Sequence, residues 1–462
     1  MPDPSENTFG VINPATGEVF ATAPACSPEQ LDAAMNTAHR AFAGSWSRDE
    51  EVRRATLRAA ADALLAEKDR VAAVLTAEQG KPLAEAASEV DGSVRWLRYY
   101  ADLEIEPEYI PAPGADRRVE VTRRPLGVVA AITPWNYPLL LAMWKIAPAL
   151  RAGNTMVLKP SPFTPLATLA MGEVLQEVFP VGVFTVVTGP DPLGNLLTGH
   201  PLARKVSFTG STATGKKVAA AAADDLKRIT LELGGNDPAI ILPDADPEAI
   251  AEQLFWSAFR NNGQICVAVK RVYAHESIQP RLVDALAEIA RSIQPDDGSK
   301  PGARLGAINN EPQLHRVEEL VGDAIARGAK AAAGGSRIDR PGYFFSPTIL
   351  TDVPAAARIV SEEQFGPALP VLPYRNIDDA VAMANDSEYG LTSSVWGTDV
   401  EQATVIARRL DAGQAAVNAH AVGLRPDLPF AGAKWSGLGV ENGPWGLHEL
   451  TQLGVVTAPA AT

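Results

Sequence analysis

Between Leu126 and Gly210 short apolar runs take turns with helix-length segments. The runs are LGVVAAIT (126–133), TMVLK (155–159), VFTVVTG (183–189) and KVSFTG (205–210), with helices expected from about Pro138 to Ala152, near 164–178 and near 191–199. Runs this short and this apolar suit strands buried on both faces, and the segments between them are long enough to cross the sheet as helices. Few folds accept such a pattern. It predicts a doubly wound α/β domain, a parallel sheet with helices on both faces that binds nucleotides at the carboxyl ends of its strands. A second alternating series begins after Glu232 and runs to about Trp435, with IILP (240–243), RVYAH (271–275), VLPY (371–374) and AAVNA (415–419), and predicts a second α/β domain. From Gln30 to about Gly80 the chain is Ala- and Leu-rich with helical spacing, and Asp49, Glu50 and Glu51 favour a helix start near Ser47.

The stretch from Ala101 to Arg124 is polar and carries prolines, then alternates as Arg118-Val119-Glu120-Val121-Thr122, the pattern of a strand running away from the core. A length of 462 residues with 46% hydrophobic content suits roughly two to four domains. The expected division is 1–106 with 125–232 as the nucleotide-binding domain and 233–445 as the catalytic domain, with 107–124 and 446–462 standing apart. A net charge of −14 argues against a nucleic-acid surface and against a polybasic membrane patch. The apolar runs are too short to span a bilayer, and MPDPSENTFG has no basic start followed by an apolar core, so neither membrane span nor secretory signal is expected. Two cysteines, Cys26 and Cys266, make no disulfide framework and suit a cytoplasmic location. The six histidines show no paired spacing, and no metal is expected.

Phe208-Thr209-Gly210-Ser211-Thr212-Ala213-Thr214-Gly215-Lys216 leads from a strand into a helix, with glycines where the backbone must turn and approach a ligand. Free N–H groups at a helix start attract phosphate, so a nucleotide pyrophosphate fits here. The spacing approaches a P-loop, but Lys217 stands where a magnesium-binding hydroxyl is needed, which argues against an ATPase.

Cys266 ends Asn261-Asn262-Gly263-Gln264-Ile265-Cys266, and a thiolate attacking a carbonyl creates an oxyanion that must meet fixed N–H donors. Asn136, in Thr133-Pro134-Trp135-Asn136 after a strand, supplies one donor and the Cys266 backbone N–H another. An acyl intermediate then needs a general base. Glu232 lies between Leu231 and Leu233 at a strand end, where burial would raise its pKa toward neutrality. No charged neighbour of Cys266 in the local sequence accounts for its activation, which leaves spatial neighbours to supply it. Three classes remain open on these residues: an enzyme with a covalent cysteine intermediate on a nucleotide cofactor, a cysteine hydrolase or amidotransferase, and a non-enzymatic nucleotide-binding module.

TPWNYP (133–138), KPSP (159–162), FTGSTATG (208–215), LELGG (231–235), NNGQIC (261–266), EEQFGP (362–367) and PFAGAKWSGLG (429–439) occur in the order found in the aldehyde dehydrogenase superfamily. The chain resembles that family from INPATGE (12–18) to Gly454. The resemblance implies a Rossmann-like cofactor domain, an α/β catalytic domain and a small β oligomerisation arm. It implies that Cys266 attacks an aldehyde, that Asn136 and the Cys266 N–H hold the oxyanion, and that Glu232 activates water on the thioester. Relatives that pass the acyl group to coenzyme A typically lack this acid, so the resemblance favours hydrolysis. Lys159, counted with both the catalytic and the cofactor residues, would bond the adenosine ribose. Trp135 and Ser211 would meet the pyrophosphate and Gly210 and Gly215 shape the turn, with Leu233 alongside. Glu363 would hold the nicotinamide ribose, with Phe365 and Phe430 against the nicotinamide end.

Three positions depart from the family pattern. Pro162 stands where many NAD-preferring members have a ribose-gripping Glu, so NAD is the expected cofactor with NADP open. PFAG replaces PFGG, adding the Ala431 methyl, and Gly439-Val440-Glu441-Asn442-Gly443 replaces the common Gly-Arg-Glu run. The residues that would line the aldehyde tunnel are Tyr137, Leu141, Trp144, Ile265, Val267 and Leu424, which favours a hydrophobic or aromatic aldehyde over a semialdehyde or aminoaldehyde. His420, Arg425 and Asp427 lie in the loop before Pro429, placed to reach the tunnel mouth, where Arg425 either meets a distal substrate carboxylate or pairs with Asp427. The 107–124 arm and the 446–460 tail resemble elements that extend a neighbouring subunit's sheet, which implies a homodimer or homotetramer.

Overall fold

The computed structural model describes residues 7–105, 108–110, 117–422 and 424–459. Two parallel sheets organise the molecule. The first runs, edge to edge, Gly437–Leu438, Arg228–Glu232, Ala203–Thr209, Val128–Ile132, Thr155–Lys159 and Phe184–Val186, all parallel except the first pair. Its middle strands are buried on both faces. Val128 and Ala130 pack with Leu31, Met35 and Val218 on one side, while Val129 and Ala131 pack with Leu97, Leu139 and Met143 on the other. That double burial is why these strands read as unbroken apolar runs rather than as alternating ones.

The second sheet has the order Lys330–Ala333, Thr348–Thr351, Ala368–Tyr374, Val269–His275, Asp237–Ile241, Thr392–Trp396 and Gln414–Val417, with only the first pair antiparallel. A strand from late in the chain, Gly437–Leu438, crosses back to pair with Arg228–Glu232 of the first sheet and so ties the two together.

Helices Pro138–Arg151, Leu166–Val178 and Leu193–Gly199 fall within two residues of their expected bounds. The helix expected near Ser47 starts at Glu50, because the Asp49 carboxylate accepts the Val52 N–H at 3.0 Å and caps it. VFTVVTG is a strand only over Phe184–Val186: it lies at a sheet edge, and Thr188 turns away to accept the Cys26 N–H. An N-terminal hairpin, Thr8–Asn13 with Glu18–Pro24, has no counterpart in the sequence expectations, and it leaves Val19 and Phe20 exposed.

The alternating arm is a strand, Arg117–Pro125, paired antiparallel along its length with Thr451–Pro459 and flanked by Glu108–Ile110. Residues 107 and 111–116 of the expected arm, 460–462 of the tail, and residues 1–6 of the segment read for a leader lie outside the described residues. No described helix is long and apolar enough to cross a membrane.

Candidate active site

The loop that ends at Cys266 is shaped by the residues that precede the thiol. Asn261, Asn262 and Gly263 take φ values of 49°, 55° and 68°, three left-handed residues in succession. Asparagine and glycine are the residues that tolerate this region, and the strain is held by hydrogen bonds. Asn261 donates to the Asn136 carbonyl (3.1 Å), Asn262 to the Gly306 carbonyl (2.7 Å), and the Gln264 side chain donates to the Asn261 carbonyl (2.9 Å) while accepting the Asn309 N–H (2.9 Å). A side chain at Gly263 would meet the Gly366 carbonyl oxygen at 2.4 Å. The Asn-Asn-Gly-Gln run is thus the frame on which Cys266 is presented, half-buried.

Asn136 is fixed against that frame. Its Nδ2 donates to the Gln264 carbonyl at 2.9 Å, which leaves the second amide N–H for a ligand. Its own carbonyl accepts from Asn261 and from the Lys81 ammonium (2.8 Å), and Lys81 is paired at 2.6 Å with Glu89. Glu89 in turn accepts the N–H groups of Leu139 and Leu140 at the start of the Pro138–Arg151 helix. A fully buried ion pair therefore anchors Asn136 to a helix N-terminus.

Glu232 ends the strand Arg228–Glu232 and is 3% exposed, and neither carboxyl oxygen has a hydrogen-bond partner. Burial pushes its pKa well above the ordinary carboxylate range. The nearby Glu441 charge adds to the rise, and Lys145, paired with Glu441 at 2.6 Å, partly opposes it. The Glu232 backbone carbonyl accepts the Gly210 N–H at 3.0 Å, so the same residue holds the glycine turn. The thiol of Cys266 is likewise pushed up, to about 12, by burial.

The Cys266 wall is apolar. Tyr137, Ile265, Leu424 and Cys266 itself pack against the cluster that holds Leu141, Trp144, Val267 and Phe430, with Trp144 and Phe430 edge to face at 5.0 Å. All six expected tunnel positions belong to the hydrophobic cluster against which the thiol packs.

At the carboxyl ends of the first sheet the residues fit a dinucleotide. The Thr133 and Thr209 hydroxyls are buried there without partners. Ser211 is exposed and caps the helix Thr212–Ala223, with its Oγ accepting the Thr214 N–H. A side chain at Gly215 would meet Leu233 at 2.4 Å and one at Gly210 the Phe208 ring at 2.6 Å, so both glycines allow close backbone approach. The buried Lys159 ammonium has one weak contact, the Pro160 carbonyl at 3.4 Å, and desolvation lowers its pKa. Pro162 follows three residues on, half-buried. Glu363 accepts the Gly235 N–H at 3.0 Å, and Trp135 stands edge-on to Phe365 at 5.3 Å. The left-handed φ of Phe365, 47°, turns the chain there.

Three sequence expectations need correction or completion. His420 does not reach the tunnel mouth: it is buried, with Nδ1 2.9 Å from the Ser394 hydroxyl and Nε2 3.2 Å from Thr392, and burial drives its pKa down to about 3. Between the two roles open to Arg425, the geometry selects the pair with Asp427, at 3.0 and 2.6 Å. A local charge beside Cys266 does exist. Lys270, four residues on, donates to the carbonyls of Cys266 (2.7 Å) and Ile265 (2.9 Å) and lies 3.5 Å from Glu363. The sequence signal was a lysine inside the strand Val269–His275, which is buried over all but its last residue. Lys145, Glu441 and Asp237 were also missed, since each is distant in sequence from the residue it faces. Among the described residues no cluster of metal-ligating side chains occurs.

Residues 2–456 match the model of the aldehyde dehydrogenase family. The chain is 40% identical over 454 residues to the 3-sulfolactaldehyde dehydrogenase of Pseudomonas putida, covering 97% of this chain and 93% of that one. It is 38% identical over 447 residues to the NADP(+) succinate-semialdehyde dehydrogenase of Escherichia coli, covering 96% and 92%. Among solved structures, betaine aldehyde dehydrogenase from Staphylococcus aureus in complex with NAD+ superposes with a TM-score of 0.95 at 35% identity, covering 99% of this chain and 93% of that one.

Proposed function

The chain belongs to the aldehyde dehydrogenase family, and on that premise we propose that it oxidises an apolar or aromatic aldehyde to the carboxylic acid through an adduct on Cys266. The observation that carries this is the meeting, at one half-buried thiol, of a donor amide, an unpaired buried carboxyl and an apolar wall. The Cys266 thiolate bonds to the aldehyde carbon, and the carbonyl oxygen takes the negative charge. The free N–H of Asn136 and the Cys266 N–H receive that charge. When bound, the nicotinamide supplies the hydride acceptor that turns the adduct into a thioester. Glu232 takes the proton of the attacking water, the C–S bond breaks, and the acid leaves while the thiolate is restored.

Lys159 and Glu363 would hold the two riboses, and Ser211, Trp135 and the helix start the pyrophosphate. NAD+ is the proposed acceptor. NADP+ is a second one, because Pro162 sets no carboxylate against a 2′-phosphate; relatives with either cofactor in their names support both. Reduction of NAD+ or NADP+, followed by absorbance with and without aldehyde, tests the proposal. Aldehyde turnover without coenzyme reduction would make the enzyme a hydrolase.

A second reading is an anionic semialdehyde, favoured by the name of the Escherichia relative. Against it stands Arg425, whose charge is engaged by Asp427. Comparing kcat/KM for aromatic, long aliphatic, semialdehyde and aminoaldehyde substrates separates the two, and a clear preference for the anion would overturn the apolar choice. The protein is further proposed to act in the cytoplasm as a homodimer or homotetramer.

A further inference from the structure

The nucleophile loop rests on a buried charge that the reaction as described does not use. Lys270 is 1% exposed, and its ammonium bridges two things: the backbone of Cys266, through the carbonyls of residues 265 and 266, and the carboxylate of Glu363 at 3.5 Å. It also donates at 3.4 Å to the Ala268 carbonyl, so its three protons fix the turn from Ile265 to Ala268. The carboxylate of Asp237, buried and hydrogen-bonded to Thr392, lies within electrostatic reach. Behind it stand His420 and Ser394.

The groups that act on the Cys266 thiol are Glu232, Asp237, Glu363, Tyr137 and Lys270. Each of the first three disfavours a thiolate, and a phenol adds no cation. Lys270 is the cation that acts on the thiol directly, while Lys81, 3.5 Å over the Tyr137 ring, and Arg260 act on the phenol beside it. His420 is held neutral by burial and adds none. A thiolate formed in this pocket is therefore favoured by a lysine four residues along the chain.

We propose that Lys270 is the positioning residue of the nucleophile, its buried ammonium fixing the Cys266 turn and supplying the positive field in which the thiolate forms. Through Glu363 the same ammonium links the thiol to the group proposed to hold the nicotinamide ribose.

The inference rests on Cys266 being the nucleophile, and the test reads the thiol without aldehyde or coenzyme. Iodoacetamide alkylation, in which thiolate sulfur displaces iodide, is followed across neutral and alkaline pH, with peptide mapping to separate Cys266 from Cys26. Lys270→Gln keeps hydrogen-bond donors and loses the charge. Its alkylation midpoint should move up by about one pH unit or more, a roughly tenfold slower reaction at fixed pH. Lys270→Arg should restore most of the wild-type profile. An unchanged midpoint in a folded Lys270→Gln protein, or an arginine variant displaced as far as the glutamine one, overturns the proposal.

Should the glutamine variant fail to fold, Glu363→Gln serves instead. Glu363→Gln alone removes a charge that itself disfavours the thiolate, so it is compared with Lys270→Met in the same Glu363→Gln background: the midpoint should rise when the ammonium is lost, and no movement overturns the proposal. Wild-type Cys266 that alkylates no faster than Cys26 at any pH would instead refute the nucleophile itself.

Discussion

At the scale of single residues, three side chains divide the proposed chemistry, and each has its own signature. Cys266→Ala should abolish aldehyde oxidation while coenzyme still binds, which titration calorimetry can check; normal turnover would rule out the covalent route. Glu232→Gln should give one burst of reduced coenzyme and then stall on the thioester, seen as a pre-steady-state burst without a steady rate. Asn136→Ala removes one oxyanion donor and should lower kcat about 10²–10³-fold with little change in coenzyme affinity. The Glu232 carboxyl also sets a pH dependence. Its pKa is raised by burial first and by Glu441 second, and only the ionised form can take a proton from water. Thioester hydrolysis should therefore climb with pH well above the ordinary carboxylate range, and Glu232→Gln should erase that limb from the kcat profile.

At the scale of elements, strands and helices aim these residues, and the aim is held by buried polar links. Lys81 joins Glu89, which accepts the Leu139 and Leu140 N–H groups at the start of the Pro138–Arg151 helix, to the carbonyl of Asn136, with its side chain and that of Glu89 out of contact with water. Lys81→Met would leave the Glu89 charge buried without its cation, a loss of about 3–5 kcal/mol. It should also free Asn136, so thermal melting and kcat should fall together. The glycine turn makes a second link. Gly215 lets the Thr212–Ala223 helix approach Leu233, and Glu232 holds Gly210. Gly215→Val would overpack that approach at a cost of about 1–3 kcal/mol, and the expected readout is weaker coenzyme binding by calorimetry.

At the scale of the whole molecule, the strand Thr451–Pro459 pairs with Arg117–Pro125 and leaves Leu453, Val455 and Val456 more than half exposed, at 52%, 66% and 53%. A long strand with an apolar exposed face suits pairing with another subunit. Sedimentation at micromolar concentration should give a dimer or tetramer, and ending the chain after Leu450 should give monomers. A monomeric full-length chain would refute the assembly.

The two α/β series were legible in the sequence, because a strand buried on both faces must be apolar throughout and its crossover helix must follow. The glycine turn, Asn136, Glu232 and Cys266 were legible for a related reason: each follows a strand end or a tight turn, where the chemistry demands particular residue types. The tertiary structure decided what faces those residues. His420 looked like a loop residue and is buried against Ser394 and Thr392. Lys270 sits inside a buried strand, and only folding shows its ammonium turned back onto the Cys266 carbonyl. Lys145 meets Glu441 across 296 residues of chain. Local patterning records which backbone a segment prefers, whereas the field at a buried group is summed over neighbours that only the packed chain brings within reach.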